Sequence, residues 1–181
     1  MQKIIIILFL GCVLFSCKKE DLPEAPTFNA GGKEFGNAIG TKNGSLFECS
    51  VNVFKEESNI FYISFETEEG EDATREKFSC SHVPFKIGIY TNIKTTREQI
   101  NGNGITALGA MHIGDGCVID NFYDIDTKAS NYVKVTSIDL IKGNIKGEVD
   151  LRFNIRPPQI EPSYASILHF KKVVFEAKIQ E

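Results

Sequence analysis

The residues best equipped for chemistry are thiols, imidazoles and grouped carboxylates. Cys49, Cys80 and Cys117 lie well inside the chain, with His82, His112 and His169 scattered among them. A nucleophilic triad needs a Ser or Cys, a His and an acid brought together, and the G-x-S-x-G turn that announces one is missing. No catalytic residue is assigned on this basis. Zinc held by Cys80, His82 and Cys117 would lack the C-x-x-C pairs of structural sites, so no metal is expected there. Asp115, Asp120, Asp124 and Asp126 offer the hard oxygens that suit Ca²⁺. They do not follow the D-x-D-x-D-G loop, and Asp120 and Asp124 on an extended strand would stand about 13 Å apart. A charged outer face with an acidic loop is the reading, and calcium stays open.

Other classes are excluded by composition. A formal net charge of −4 lacks the basic face of a nucleic-acid binder. Sugar platforms usually use Trp, of which there is none; Tyr62, Tyr90, Tyr123, Tyr132 and Tyr164 offer weaker stacking, and the 14 Phe fit core positions better. The dense run Glu66-Thr67-Glu68-Glu69-Gly70-Glu71-Asp72 reads as a solvated hairpin tip. No cofactor is implied.

The N-terminus carries the most specific signal. Lys3 precedes an apolar stretch from Ile4 to Phe15, too short to span a bilayer, which needs about twenty residues, and suited to a signal-peptide core. It ends Leu14-Phe15-Ser16-Cys17, which resembles a bacterial lipobox, with Phe15 departing from the small residue usual there. The resemblance implies removal of residues 1–16, diacylglycerol on the Cys17 thiol and acylation of the new amino terminus. Several acyl chains make a lasting anchor where one would not. Lys19, Glu20 and Asp21 follow, similar to the export signal of Bacteroidota surface lipoproteins: acylated Cys, any residue, Lys, two acids. That implies an outer-membrane protein facing the cell surface; a solvated linker facing the periplasm is the alternative. Residues 17–26, with their charges and two prolines, read as a lipidated tether, and residues 27–181 as one domain.

Outside the cytoplasm disulfides form, and the three remaining thiols permit one. Cys80 and Cys117, both beside loops, are the candidate pair; three reduced thiols are the alternative. Cys49, on an inward strand face, reads as a small buried hydrophobe.

The elements that must position these residues follow a period of two. Phe47, Cys49, Val51 and Val53 alternate with polar residues, and Phe61, Ile63 and Phe65 do the same after Lys55–Asn59, which predicts a hairpin of residues 46–54 and 59–67. Phe85, Ile87 and Ile89 after Pro84 predict a strand that opens on the proline. Ile105–His112 and Cys117–Tyr123 flank the turn-forming Gly114-Asp115-Gly116. Tyr132–Ile141 and Ile145–Ile155 pair through Lys142-Gly143-Asn144, and the second puts Ile145, Gly147, Val149, Leu151, Phe153 and Ile155 on one face. Val173, Phe175, Ala177 and Ile179 close the chain. Thr95–Ile100 is the sole helical candidate, and it is short. Eight or more antiparallel strands with one apolar face each must pair those faces, which predicts an all-β antiparallel sandwich, with a lipocalin-like barrel as the alternative.

Val133–Asp139, Ile145–Val149 and Val173–Ile179, with Phe28-Asn29-Ala30 and Gly32-Lys33-Glu34-Phe35 near the front, resemble a family of Bacteroidota lipoprotein domains. The match covers about forty residues at the two ends. It implies a β-sandwich and a lipid anchor and carries no activity. The functional expectation is a non-enzymatic binding module, attached to the membrane by its lipid and meeting an unidentified ligand or protein; a structural or assembly subunit of an envelope complex is the alternative.

The lipobox reading predicts that Cys17→Ser abolishes incorporation of labelled palmitate and releases the protein from the membrane fraction. A variant that still takes up palmitate and partitions into detergent would rule it out.

Overall fold

The computed structural model describes residues 35–57, 59–69, 74–95, 104–113 and 118–180. The start of the domain at residue 27, the opening segment Phe28–Glu34 and most of the helical candidate Thr95–Ile100 lie outside them. Eleven strands follow in chain order: β1 Gly36–Lys42, β2 Ser45–Glu57, β3 Ile60–Glu69, β4 Thr74–Pro84, β5 Gly88–Tyr90, β6 Ile93–Lys94, β7 Ile105–Ile113, β8 Val118–Ile125, β9 Tyr132–Asp139, β10 Asn144–Ile155 and β11 Ile167–Gln180. Among the described residues no helix is long and apolar enough to cross a membrane.

Alternation does form the strands. In β2, Phe47, Cys49, Val51 and Val53 are buried; in β3, Phe61, Ile63 and Phe65; in β10, Ile145, Val149, Leu151 and Phe153. The predicted hairpins β2–β3 and β9–β10 are paired antiparallel, as are β7 and β8. β1 joins β2 through Asn43-Gly44, whose φ angles of 50° and 87° suit a two-residue turn that follows the strand twist.

All strands belong to one mixed sheet, with β6–β7 and β11–β2 as its parallel contacts. The sheet folds into two layers. Phe78 of β4 stacks on Phe65 of the neighbouring β3 at 4.4 Å between ring centroids, and on Phe170 of β11 at 4.1 Å, although β4 and β11 share no hydrogen bonds. Phe65 meets Phe175 edge-on at 5.6 Å, and Phe78 meets Phe153 at 6.1 Å. The layer β2-β3-β4-β7 thus packs face to face on β10-β11, which is the expected sandwich. Its margins are stitched by β1–β2 on one side and by three residue pairs of β8 with β10 on the other. Through β11, the β11–β2 and β10–β11 pairings join the two layers, but the mixed sheet is not a clean barrel, and phenylalanine rings of the two layers meet between them.

Bulges account for most departures from simple alternation. Three residues of β11 span what two residues of β1 and of β10 span, because Lys171-Lys172 carries an extra residue, with φ 49° at Lys172. Phe170 and Val173 therefore both turn inward, and both lysines face solvent. A second bulge at Ser81-His82 breaks the parity of β4, whose inward positions include Glu76 and Cys80. Such a strand has too few apolar residues for its period to show. Pro84 ends β4 instead of opening a strand: it lacks an N–H to donate, the chain bends over residues 85–87, and Ile87 and Ile89 are exposed.

Phe78→Ala is expected to cost about 3–5 kcal/mol in urea unfolding, because it removes the ring between two others. Gly147→Ala is expected to cost about 1–3 kcal/mol, because its Cβ would sit 2.3 Å from the Lys134 carbonyl oxygen and 2.5 Å from the Phe175 ring. Asn154→Ala, on the exposed face of β10, should stay within about 0.5 kcal/mol. Equal losses for Phe78 and Asn154 would contradict the two-layer packing.

Candidate functional site

Among the described residues a recess is found on the surface. It has a volume of about 370 Å³ and lies on the outer face of β1, β11, β10 and β9. Its residues come from adjacent rungs. Asn37 and Ile39 of β1 stand opposite Glu176 and Val174 of β11, which stand opposite Lys146 and Glu148 of β10; Thr136 of β9 completes the wall. The concavity has a local cause. An extra residue at Thr136 curls β9 against β10, and Gly147, lacking a side chain, lets the Lys134 carbonyl and the Phe175 ring close in beneath.

The recess mixes two chemistries. Ile39 and Val174 are about half exposed, at 48% and 51%, and present an aliphatic strip. Around it, Lys146 Nζ contacts Glu176 Oε2 at 2.8 Å, and the Tyr132 hydroxyl donates to Glu148. Burial, this bond and the Glu148 and Asp150 carboxylates push the Tyr132 phenol up to about 12. A half-exposed pair such as Lys146–Glu176 contributes only about 0.2–1 kcal/mol, so either partner is available to a ligand at small cost. The lining therefore offers an aliphatic contact, a cation and carboxylate acceptors. Thr136 is its hydroxyl, and no histidine lines it.

Several other charges on this layer are paired with neighbouring segments. His169 Nε2 meets Asp150 Oδ1 at 2.8 Å, Arg152 Nε lies 3.5 Å from Asp126 Oδ2, and Arg156 binds Asp124 with two nitrogens while its guanidinium covers the Phe122 ring at 5.4 Å. Asp124 in turn holds the Arg156 guanidinium above its ordinary pKa. Of the aspartates weighed for calcium, Asp124 and Asp126 are thus neutralised by separate arginines. Asp120 sits in a bulge of β8, buried, with Oδ2 unbonded among the described residues, and Asp115 lies outside them. Among the described residues no three His, Cys, Asp or Glu side chains converge on a common point.

The other sequence candidates are also dispersed. Cys80 is a free, wholly buried thiol; Cys117, weighed as its disulfide partner, lies outside the described residues, as do Cys17, Lys19, Glu20 and Asp21. His82, two residues from Cys80, sits in the β4 bulge with φ 60° and is exposed beside Ser81, so it does not share the environment of that thiol. Tyr123 is buried and donates to the Ala165 carbonyl at 2.9 Å, while Tyr90 donates to Lys86 O at 2.6 Å. The five tyrosines do not form one platform.

Two buried carboxylates escape a sequence reading. Glu66, expected in a solvated tip, is 7% exposed; it takes Lys77 Nζ at 2.7 Å and the Ser64 hydroxyl at 2.9 Å. Glu76 is 4% exposed and takes Lys42 Nζ at 2.6 Å. Glu76 pairs across layers and Glu66 across adjacent strands, so spacing along the chain carries no trace of either. No protein-family model, curated protein or solved structure matches this chain.

Burial raises the Cys80 thiol from 9.0 to about 12. Between those values the unfolded chain gives up the proton and the folded chain keeps it. The associated stability is whole below pH 9 and is lost as pH rises toward 12, at about 1.4 kcal/mol per unit. In urea unfolding across that window Cys80→Ala should lose stability with pH less steeply than the wild type. Parallel pH slopes would show that the thiol is not held protonated by the fold.

Proposed function

We propose that this chain is a lipid-anchored lipoprotein of the outer membrane, facing the cell surface, and acts there as a non-enzymatic binding module. Leu14-Phe15-Ser16-Cys17 and Lys19-Glu20-Asp21 support the anchor and the address. The observation that carries the binding reading is the recess beside the Ile39–Val174 strip, outside a core that phenylalanine has filled. Its ligand class is one with an apolar edge and groups that pair with Lys146 or with the Glu148 and Glu176 carboxylates. The family resemblance at the two ends of the chain agrees with the anchor and adds no substrate. A second reading, as a subunit of an envelope assembly, draws support from β5. That strand ends the sheet path and exposes Ile89 at 63%, beside Ile87 at 60%.

A photo-crosslinking residue at Thr136, in the recess, should give a discrete adduct on intact cells, and the same residue at Asn154 should not. Changing Lys19, Glu20 and Asp21 together to Ala should leave the amount of protein unchanged, move it out of reach of external protease and abolish the adduct. No adduct at Thr136 in the wild type would end the binding reading. An adduct that persists in the triple variant would place the partner within the envelope and favour the assembly subunit.

A further inference from the structure

The turn between β9 and β10 carries Ile141, the most exposed large apolar side chain of the described residues, with Leu140 next to it. Leu140 is 71% exposed and Ile141 99%. A loose loop could fold such residues back, but this turn is fixed. The Asp139 carboxylate accepts the N–H groups of Ile141 at 3.1 Å and Lys142 at 3.0 Å, Gly143 takes φ 65°, and its carbonyl accepts the Ile179 N–H at 2.7 Å. The scaffold therefore holds two aliphatic side chains in water, with Lys142 beside them at 74% exposure.

The place of this tip matters. Lys178 of β11 is the strand neighbour of Asn144, just past the turn, and its N–H donates to the Phe35 carbonyl at 2.6 Å. Phe35 is where the chain from Cys17 enters the described domain. Fully extended, that stretch reaches at most about 60 Å. An anchored Cys17 thus keeps the bilayer within reach of the domain, and the end at which the chain enters is the end that carries Leu140 and Ile141.

We infer that the Leu140–Ile141 turn is a lipid-contacting tip: it inserts at the surface of the bilayer that holds the acyl anchor, with Lys142 and the exposed Lys178 facing anionic headgroups. This rests on the lipid-anchor reading and adds an orientation to it. A lipid surface fits better than a protein. Two side chains on a convex turn bury far less than the roughly 800 Å² per partner of a stable protein interface. A weak apolar contact suffices against a bilayer, because the covalent anchor supplies a high effective concentration and two signals together hold firmly. Standing on this end leaves the β1–β2 turn facing away.

The chain has no Trp, so a single introduced indole reports its own surroundings. Ile141→Trp and Leu46→Trp, the latter 73% exposed beside the β1–β2 turn at the other end of the strands, are compared as full-length protein on vesicles of phosphatidylethanolamine and phosphatidylglycerol with brominated acyl chains. The expected result is a blue shift and loss of emission for Ile141→Trp and neither for Leu46→Trp. Leu140→Trp serves if the first variant does not fold. Water-like, unquenched emission at 141 on vesicles, or equal quenching at 46, overturns the tip. The anchor is read separately, by palmitate labelling of the same preparations. An unlabelled chain defeats the anchor while the indole still decides the tip, and a labelled chain with an unquenched indole defeats the tip alone.

Discussion

Phe78 is held between Phe65 and Phe170, at 4.4 and 4.1 Å, and the rest of the structure depends on that sandwich of rings. Its Phe78–Phe170 half is one of the ring contacts, with Phe65–Phe175 and Phe78–Phe153, by which one layer meets the other. Each ring buries an area of about 150–250 Å², so the stack concentrates much of the hydrophobic stabilisation in a few side chains. It has a further consequence: the space a barrel would leave for a ligand is taken. On the binding reading proposed, the ligand is displaced to the outer surface.

That surface is shaped by the devices that close the core. The Lys171-Lys172 bulge turns Phe170 toward Phe78 while keeping Val173 inward, and Gly40 accepts the close approach, since a Cβ there would lie 2.6 Å from Val173 Cα. One layer over, Gly147 lets Phe175 settle beneath β10 while β9 curls at Thr136. Core and recess are two sides of one distortion. Some of the charges around it are satisfied by neighbouring segments, as Asp150 is by His169 and Asp124 by Arg156, while Lys146 and Glu176 pair with each other half exposed.

What the sequence made legible was the parity of strands with four or more apolar residues: β2, β3, β10 and the end of β11. Parity is a local property, and two-fold alternation survives any tertiary arrangement. It failed where a bulge inserts a residue, as at Ser81-His82 in β4 and Lys171-Lys172 in β11, because the shift is set by the neighbouring strands and not by the strand itself. Asn43-Gly44 has the residue types of a two-residue turn, but β1 before it shows too little alternation for the β1–β2 hairpin to be read from the sequence. The recess was not legible, since Ile39, Val174 and Glu148 come together only through registers between strands distant in the chain. Glu66 shows the same limit from the other side: in a run of acids it reads as solvated, yet Lys77 and Ser64 enclose it.

Membrane and ligand contacts, on the readings proposed, divide the molecule by direction. The turn of Leu140 and Ile141 projects along the strands, beyond the point where Phe35 meets Lys178, whereas the recess opens perpendicular to the strands from side chains of β1, β11, β10 and β9. Side chains in a sheet stand across it and turns lie at its ends, so the two contacts cannot compete for one surface. Lys146, at the third residue of β10, shares a rung with Glu176 and Asn37 and is paired with Glu176. A domain standing on its turn would hold the recess sideways, parallel to the bilayer and clear of headgroups, where a ligand reaches it without first displacing lipid. The same geometry explains why a short anchor would suffice: the tether need only keep the domain on the membrane, because the fold itself sets which way it faces.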